Sequence, residues 1–362
     1  VSKTPHILVE NLRGNARIVG TAEDKVKVTG RKSIRAMSKE EADAADRQTP
    51  IEVSVQGDTV TVRTNQERAT GSQRVSMDIE VWVPRGASVE TRGRYGDFDI
   101  SEIAGETKVA SDNAGVRLQN LGGQVRVELR RSDIVRAVNV KGGVEVSVKG
   151  RGEDIELDSI EGPTVVTGTY TGDLQFRKLA QSFRFSSNVT ELQVAKVPGQ
   201  IRIASGDIRG NNVTGPVRLE ARSRGRDIEF VDFTQSADVT LDRGNIDLRP
   251  AKGELGKIVA RTNTGDIDLS LPAGARFTIA ATILAAFAPL VFFLVWNVPP
   301  LTSPEVRDAY AVIQLSQVGL IAFAGIVANV RLLQLLRELA GSRATATRIL
   351  VAWLAGNLLL GT

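Results

Sequence analysis

The phrase GDIDLS at residues 265–270 decides the fold, because close relatives of it recur along much of the preceding chain. Most relatives combine a turn residue, an acidic residue and alternating apolar and polar residues. They are GDFDIS (96–101), AGVRLQ (114–119), SDIVRA (132–137), EDIELD (153–158), GDLQFR (172–177), TELQVA (190–195), GDIRGN (206–211), RDIEFV (226–231) and GNIDLR (244–249). From residue 97 to residue 266 the chain makes nine steps in 169 residues, so the period is about 19 residues.

A second strand pattern of the type Gly-x-Val-x-Val lies between these phrases, as in GQVRVEL (123–129), GGVEVSV (142–148), GQIRIAS (199–205) and GPVRLEA (215–221). Each unit therefore predicts two short strands separated by turns. A unit this small cannot bury its own apolar face, and stacking of successive units supplies the missing core. The sequence predicts an all-β solenoid of about ten coils. A β-sandwich is the structural alternative, but it does not predict so constant a period.

The alternation within each phrase divides the side chains between core and solvent. The predicted inward pairs are Phe98 and Ile100, Val125 and Val127, Ile155 and Leu157, Ile201 and Ile203, Ile228 and Phe230, and Ile267 and Leu269. The predicted outward residues are Asp99, Arg126, Glu156, Arg202, Glu229 and Asp268. The Gly or polar residue before each Asp is expected at a corner that requires positive φ or a side chain bonded to its own turn.

Residues 1–90 are less regular and are predicted to form an N-terminal β cap over the first coil. Residues 51–64 indicate a hairpin with its turn at Gly57-Asp58. A short polar helix is expected to start at Ser38, with Ser38 and Glu41 as a capping box. A long strand follows, with Val75, Met77, Ile79, Val81 and Val83 on one face.

The phrase VPRGASVETRGRYGDFDIS (83–101), with the recurrent GDI and G-x-V-x-L phrases, resembles the bacterial "putative adhesin" domains of the domain-of-unknown-function type. The resemblance covers about residues 5–279. It implies a right-handed β-solenoid, here residues 91–276, in a membrane-tethered envelope protein. It carries over no catalytic residue.

The C-terminal region changes to apolar sequence without a linker, and no charged residue occurs from Phe277 to Pro304 or from Ala309 to Val330. Each run is long enough to span a bilayer as a helix. We predict a transmembrane helical region over 277–362, with spans at about 277–298 and 309–330 and a truncated third helix at 349–362. A buried helix hairpin is the alternative.

The charge pattern around these spans conflicts with the resemblance. The Arg-rich segment 331–348 is expected on the cytoplasmic side, and two spans would return the solenoid to that side. The resemblance instead implies an extracytoplasmic solenoid at the bacterial inner membrane. A chain that is not natively contiguous near residues 279–283 would remove the conflict, and a genuine two-span fusion would keep the solenoid cytoplasmic. Because the sequence starts at Val1 and not at Met, a further segment is expected upstream.

The composition limits the kinds of site that the chain can form. There is no Cys, so disulfides and thiolate metal sites are excluded, and the single histidine, His6, provides no histidine cluster or conventional Ser-His-Asp site. The net charge is +4, but basic and acidic residues alternate, which favours a solvated surface and no nucleic-acid partner.

Two groups of residues are candidate sites. The acid pairs Asp97/Asp99, Asp154/Glu156 and Asp266/Asp268 could line a calcium ladder or act as glycosidase carboxylates, but the calcium-binding nonapeptide is missing and Arg117 and Arg218 occupy equivalent positions. A sugar-stacking surface would use Tyr95, Tyr170, Phe176, Phe183 and Phe185, although the phenylalanines fit a core better. His6 is expected to be a cap residue. We therefore predict no catalytic, cofactor-binding or metal-binding residue.

These observations favour a non-enzymatic, membrane-anchored envelope solenoid that acts as an adhesion, scaffold or interaction module. Its partner would be a protein or a cell-envelope glycan, with lipid contacts through the C-terminal helices and a place in a larger membrane assembly. The alternatives are a polymerising scaffold of the bactofilin type at the cytoplasmic face and a polysaccharide-active solenoid enzyme.

Overall fold

The computed structural model describes residues 2–69, 73–222 and 225–273, and strands dominate it. The N-terminal strands are β1 (His6–Arg13), β2 (Ala16–Thr21), β3 (Lys27–Arg35), β4 (Glu52–Gln56), β5 (Thr59–Arg63), β6 (Arg74–Pro84), β7 (Ser88–Tyr95), β8 (Phe98–Ser101), β9 (Thr107–Asn113), β10 (Val116–Leu121), β11 (Val125–Val140) and β12 (Val144–Ile160). They are followed by β13 (Thr164–Tyr170), β14 (Leu174–Leu179), β15 (Phe183–Ser186), β16 (Thr190–Val194), β17 (Val197–Ala204), β18 (Asp207–Asn211), β19 (Val217–Ala221), β20 (Ile228–Arg243), β21 (Ile246–Thr264) and β22 (Ile267–Leu269). A helix, α1 (Lys39–Gln48), and a 3-10 turn (Gln66–Arg68) lie before β6.

The strands form two ladders that run along the stack. The first ladder contains, in spatial order, β4, β5, β1, β7, β9, β11, β12, β13, β15, β16, β19, β20 and β21. The second contains β3, β6, β2, β8, β10, β11, β12, β14, β17, β18, β20, β21 and β22. The long strands β11, β12, β20 and β21 bend and contribute to both. This is an all-β solenoid, which confirms that part of the predicted fold class.

The core lies between the two ladders and is filled by the inward rows. Of the predicted inward pairs, those from Phe98 and Ile100 to Ile228 and Phe230 are buried. The last pair is different: Ile267 and Leu269 are 46% and 38% exposed. They belong to β22, whose pairing among the described residues is with β21 alone, so one side of the coil has no cover there.

Among the described residues, seven coils leave the second ladder through a residue in the left-handed conformation. These corner residues are Glu102, Asn120, Asn139, Ser159, Lys178, Asn212 and Asp232, with φ between 49° and 60°. The corner interrupts the period-2 alternation, so buried residues occur three positions apart, as at Leu118 and Leu121 around Asn120. An extended strand would point the second of these residues outward. The corner therefore places one additional apolar side chain per coil in the core.

The N-terminal region does not lie wholly at the end of the stack. β1 pairs in parallel with both β5 and β7, and β2 pairs in parallel with both β6 and β8. Residues 6–21 therefore form an internal coil between two coils that are consecutive in the sequence. The end of the stack is formed by β3, α1 and β4. Ser38 caps α1 by accepting a hydrogen bond from the Glu41 amide, whereas the Glu41 carboxylate accepts from the amide of Met37.

One coil runs in the reverse direction, which corrects the prediction of a uniform repeat. β16 is antiparallel to β15 and β19, and β17 is antiparallel to β14 and β18. The phrases TELQVA and GQIRIAS belong to these two strands. A reversed strand keeps the same alternation of inward and outward side chains, so the sequence pattern does not distinguish it from a forward strand.

The predicted spans at 277–298, 309–330 and 349–362 lie outside the described residues. Within the described ranges, no helix is sufficiently long and apolar to cross a membrane.

Candidate functional site

The GD phrases lie at the corners where the chain enters the second ladder. Their acidic residue has a structural role there. Its side-chain oxygen accepts a hydrogen bond from a backbone amide of the next coil: Asp97 Oδ1 accepts from the Gly115 amide at 3.0 Å, and Asp154 Oδ1 accepts from the Asp173 amide at 2.8 Å. The same bond links Asn245 to Asp266 at 3.0 Å. The preceding glycines Gly96, Gly206, Gly244 and Gly265 have positive φ, as the sequence predicted. Because these oxygens are engaged by the backbone, they are poorly placed to form a calcium ladder.

The outward charges form ion pairs between neighbouring coils. Glu156 pairs with Arg136 at 3.0 Å and with Arg177 at 2.6 Å, and Asp97 pairs with Arg117 at 3.1 Å. The paired side chains are half-buried or exposed, so each bridge contributes at most about 1 kcal/mol. Across the described residues, His, Asp and Glu form no group of three or more suited to a metal ion.

The aromatic residues divide between core and surface. Phe176, Phe183 and Phe185 are buried and pack together, with ring centroids of Phe176 and Phe183 4.5 Å apart. Burial raises the pKa of Tyr170, whose hydroxyl donates to the Thr167 carbonyl at 3.0 Å. Tyr95 is exposed and lies under the Arg13 guanidinium at 4.8 Å. The five aromatic residues therefore do not assemble into one sugar-stacking surface.

His6 lies at the start of β1, on the side of the first ladder. Its Nε2 atom is 3.8 Å from the Glu90 carboxylate, and its side chain is 42% exposed. Its register partners on the two neighbouring strands are Thr59 of β5 and Ser88 of β7.

The candidate site is a groove along the left-handed corners, which we call the corner groove. Its wall is formed by five equivalent corner residues, Glu102, Asn120, Asn139, Ser159 and Lys178. The exposed side chains of Ala104 and Ala180 also line it, above the core residues Ile103, Leu121 and Ile160. The volume is about 550 Å³, within the range of small-molecule sites. Five coils at the usual strand spacing extend the groove over about 19 Å.

The polar groups of the corner groove are ordered by contacts from coil to coil. The side-chain amide of Asn139 donates to Oδ1 of Asn120 at 3.1 Å, and the side-chain amide of Asn120 donates to Oε1 of Glu102 at 2.6 Å. Arg85 reaches Glu102 from the rim at 3.3 Å. Each Asn still has donor or acceptor capacity for a ligand. The groove therefore offers regularly spaced amide, hydroxyl and charged groups.

A second depression of about 600 Å³ lies on the outer face near the N-terminal end and includes Asp78, Glu80, Asp97 and Asp99. Asp78 accepts from the Asn15 amide at 2.9 Å, and Glu80 pairs with Arg17 at 3.2 Å. Most of its carboxylates are thus engaged within the protein, and the corner groove is the better candidate for a ligand.

The sequence prediction contained none of the corner-groove residues, although a signal for them exists. In AGVRLQNLGG, DIVRAVNVKGG and EDIELDSIEG, the alternation breaks at a polar residue followed by an apolar one. Asn at such a break is the side chain most easily accommodated at positive φ after Gly.

One protein-family profile matches most of the chain. The profile described as Toastrack DUF4097 matches residues 16–284. The chain belongs to the Toastrack DUF4097 family. This membership confirms the resemblance to domains of unknown function. The Toastrack match begins at β2, so it includes the internal coil β1–β2 in part and extends past the last described residue.

Among solved structures, the chain is similar to a 1.95 Å crystal structure of a "putative cell adhesion protein" from Clostridium sporogenes ATCC 15579. The identity is 7%, the TM-score is 0.21, and the alignment covers 75% of this chain and 94% of the other. A TM-score of this size does not establish a shared fold. A search of curated proteins finds no match.

Proposed function

We propose that this Toastrack chain is a non-enzymatic interaction module of the adhesion or scaffold type, and that a linear cell-envelope glycan binds along its corner groove. The supporting observation is the row of equivalent polar residues from Glu102 to Lys178, repeated once per coil. Sugar hydroxyls both donate and accept hydrogen bonds, so they suit side-chain amides that have capacity for both. A protein partner is the alternative that the test below must separate.

The proposal places the solenoid on the extracytoplasmic side of the bacterial inner membrane with 277–362 as its anchor, whereas a natively contiguous two-span anchor over 277–330 would place it on the cytoplasmic side. The long apolar runs in the sequence support this anchor. The full chain should therefore remain with membranes after an alkaline carbonate wash. Its release into the supernatant would contradict the anchor and leave the groove proposal standing.

The test of the groove removes its amides without straining the backbone. Gly accepts positive φ, so Asn120→Gly combined with Asn139→Gly keeps the corners and deletes two side chains of the groove. Asn212→Gly is the matched control, because Asn212 is a corner residue with φ of 50° that does not line the groove. Purified cell-wall glycan is sedimented with each full-length protein in mild detergent.

We expect the double variant to lose most of the glycan binding and the Asn212→Gly control to bind as the parent does. Equal binding by all three proteins would contradict the proposed site. If no protein sediments with glycan but envelope proteins are retained by the parent alone, the partner is a protein. Release of new reducing ends would instead support the enzyme alternative.

A second candidate function is a polymerising scaffold. The exposure of Ile267 and Leu269 in β22 favours it, since another coil could cover these core-row residues. In that case the mass of the particle should grow with concentration, and Leu269→Asp should prevent growth. A mass that stays constant would contradict polymerisation.

A further inference from the structure

β4 is an exposed edge strand at the N-terminal end of the first ladder. All five residues, Glu52 to Gln56, are exposed, and the strand pairs with β5 alone among the described residues. Val53 and Val55 are 50% and 59% exposed although they lie opposite the buried core residues Val62 and Val60. The strand has no proline within it and no register shift against β5. Prolines and β-bulges are usual devices that prevent an edge strand from pairing with another strand, and β4 has neither.

The hairpin turn determines which backbone groups of β4 face outward. Gly57 has φ of 59°, the positive value of a type II′ turn at its first central position, and Gln56 pairs with Thr59 across the turn. The pair that closes a two-residue hairpin is hydrogen-bonded, and hydrogen-bonded pairs alternate along an antiparallel ladder. Gln56, Ser54 and Glu52 therefore bond to β5. The amides and carbonyls of Val53 and Val55 point away from the stack.

The sequence of β4 is self-complementary about its central residue. In an antiparallel pair centred on Ser54, Glu52 faces Gln56 of the other copy and Val53 faces Val55. No like charges are opposed, and each Val–Val pair combines two exposed apolar side chains. The outward groups of Val53 and Val55 form hydrogen-bonded pairs in this register, and the two Ser54 residues form the non-hydrogen-bonded pair on the twofold axis.

From this geometry we propose that β4 pairs antiparallel with β4 of a second copy of the chain, giving a closed dimer joined at the N-terminal ends. A twofold contact of this kind uses the same edge on both copies and leaves no further β4 edge for growth. The proposal is independent of the groove, which lies along the coils from Glu102 to Lys178.

A thiol at the centre of the strand tests this register. The chain has no native cysteine, so Ser54→Cys introduces a unique reporter. Facing residues of a non-hydrogen-bonded pair have Cα atoms about 4.5 Å apart, which suits a disulfide. The matched control is Val53→Cys, because residue 53 faces residue 55 and its own counterpart lies diagonally, at about 8 Å, beyond disulfide reach. Both full-length variants are oxidised in mild detergent and separated on a non-reducing gel.

We expect Ser54→Cys to give about ten-fold more disulfide-linked dimer than Val53→Cys, because only the residue 54 pair lies within disulfide reach. Equal cross-linking at both positions indicates random collision and overturns the proposal, and so does the lack of cross-linking at either position. Particles larger than a dimer without cross-linking at residue 54 indicate head-to-tail assembly and also overturn it.

A second variant separates pairing from folding. Val55→Pro removes an amide that points outward and leaves the hydrogen bonds between β4 and β5, a placement that edge strands tolerate. Combined with Ser54→Cys, it should abolish most of the cross-link while the far-ultraviolet circular dichroism stays that of the parent. Retention of the full cross-link in a folded variant would overturn the proposed hydrogen bonding.

Discussion

At the scale of the residue, the left-handed corners explain why polar side chains occupy a position between two buried ones. Asn139 has φ of 56°, a conformation that costs most residues about 1–2 kcal/mol. Asn reduces this cost through local hydrogen bonding of its short side chain, and here its amide also bonds to Asn120. At Asn120 and Asn139 the side chain therefore suits the backbone conformation and also provides hydrogen-bonding groups to the groove.

Substitution of Asn139 tests this conformational selection. Asn139→Ala and Asn139→Gly both remove the bond to Asn120, so the difference between them reports the backbone. We expect the Ala variant to be less stable than the Gly variant by about 1 kcal/mol in urea unfolding, because only Gly adopts positive φ without steric cost. Equal unfolding midpoints would contradict the assigned corner.

At the scale of the element, the reversed coil is joined to the forward coil before it by a charged contact. Arg202 of β17 donates to both Asp173 oxygens, at 2.7 Å and 2.9 Å, from the strand opposite β14. These hydrogen bonds lower the pKa of Asp173. Arg202 also lies directly opposite Arg209 of β18, so Asp173 partly offsets a repulsion between like charges.

The lowered pKa predicts the pH dependence of this contact. A depressed carboxyl pKa stabilises the fold above the ordinary value of about 3.9, and this stability is lost as the pH falls through the lowered pKa. Arg202→Gln should therefore lower the melting temperature at pH 7, and its difference from the parent should shrink in strong acid, near pH 2.

The matched control is Arg209→Gln. It relieves the same Arg–Arg repulsion, but the carboxylate oxygens nearest Arg209 are 3.8 Å and 3.9 Å away. We expect it to change the melting temperature little at either pH. A similar loss in both variants at pH 7, or a loss in Arg202→Gln that does not depend on pH, would contradict a specific role of Asp173.

At the scale of the whole molecule, the order of coils in space differs from their order in the sequence. The coil β1–β2 lies between β5–β6 and β7–β8, so the first strands of the chain occupy the interior of the stack. Ile7, Val9, Ala16 and Ile18 are fully buried there. The N-terminal strands therefore contribute to the stability of coils on both sides.

This arrangement makes deletion of the N-terminus more damaging than its position in the sequence suggests. Deletion of residues 2–22 should remove amide hydrogen-exchange protection from β5 to β8, because two ladders lose a shared layer. As a control, replacement of α1 by a Gly-Ser linker of equal length should leave β7 and β8 protected, since α1 lies outside both ladders. Protected β7 and β8 amides after the deletion would contradict the internal position of β1 and β2.

The sequence by itself determined the fold class, because a period of about 19 residues with period-2 alternation requires stacked coils. It also determined which side chains of most coils face the core, the corner glycines, the hairpin at Gly57-Asp58 and the start of α1. These features depend on local geometry, and alternation and turn chemistry are local properties of the chain.

The reversed coil, the interleaved N-terminus and the corner groove could not be predicted from the sequence and emerge from the folded chain. Strand direction and the choice of neighbouring coil depend on contacts between segments far apart in the chain, and a strand read in either direction shows the same alternation. The groove arises from residues about 19 positions apart that stacking places side by side. Its members differ in side-chain type, from Glu102 and Asn120 to Ser159 and Lys178, and share only a backbone conformation.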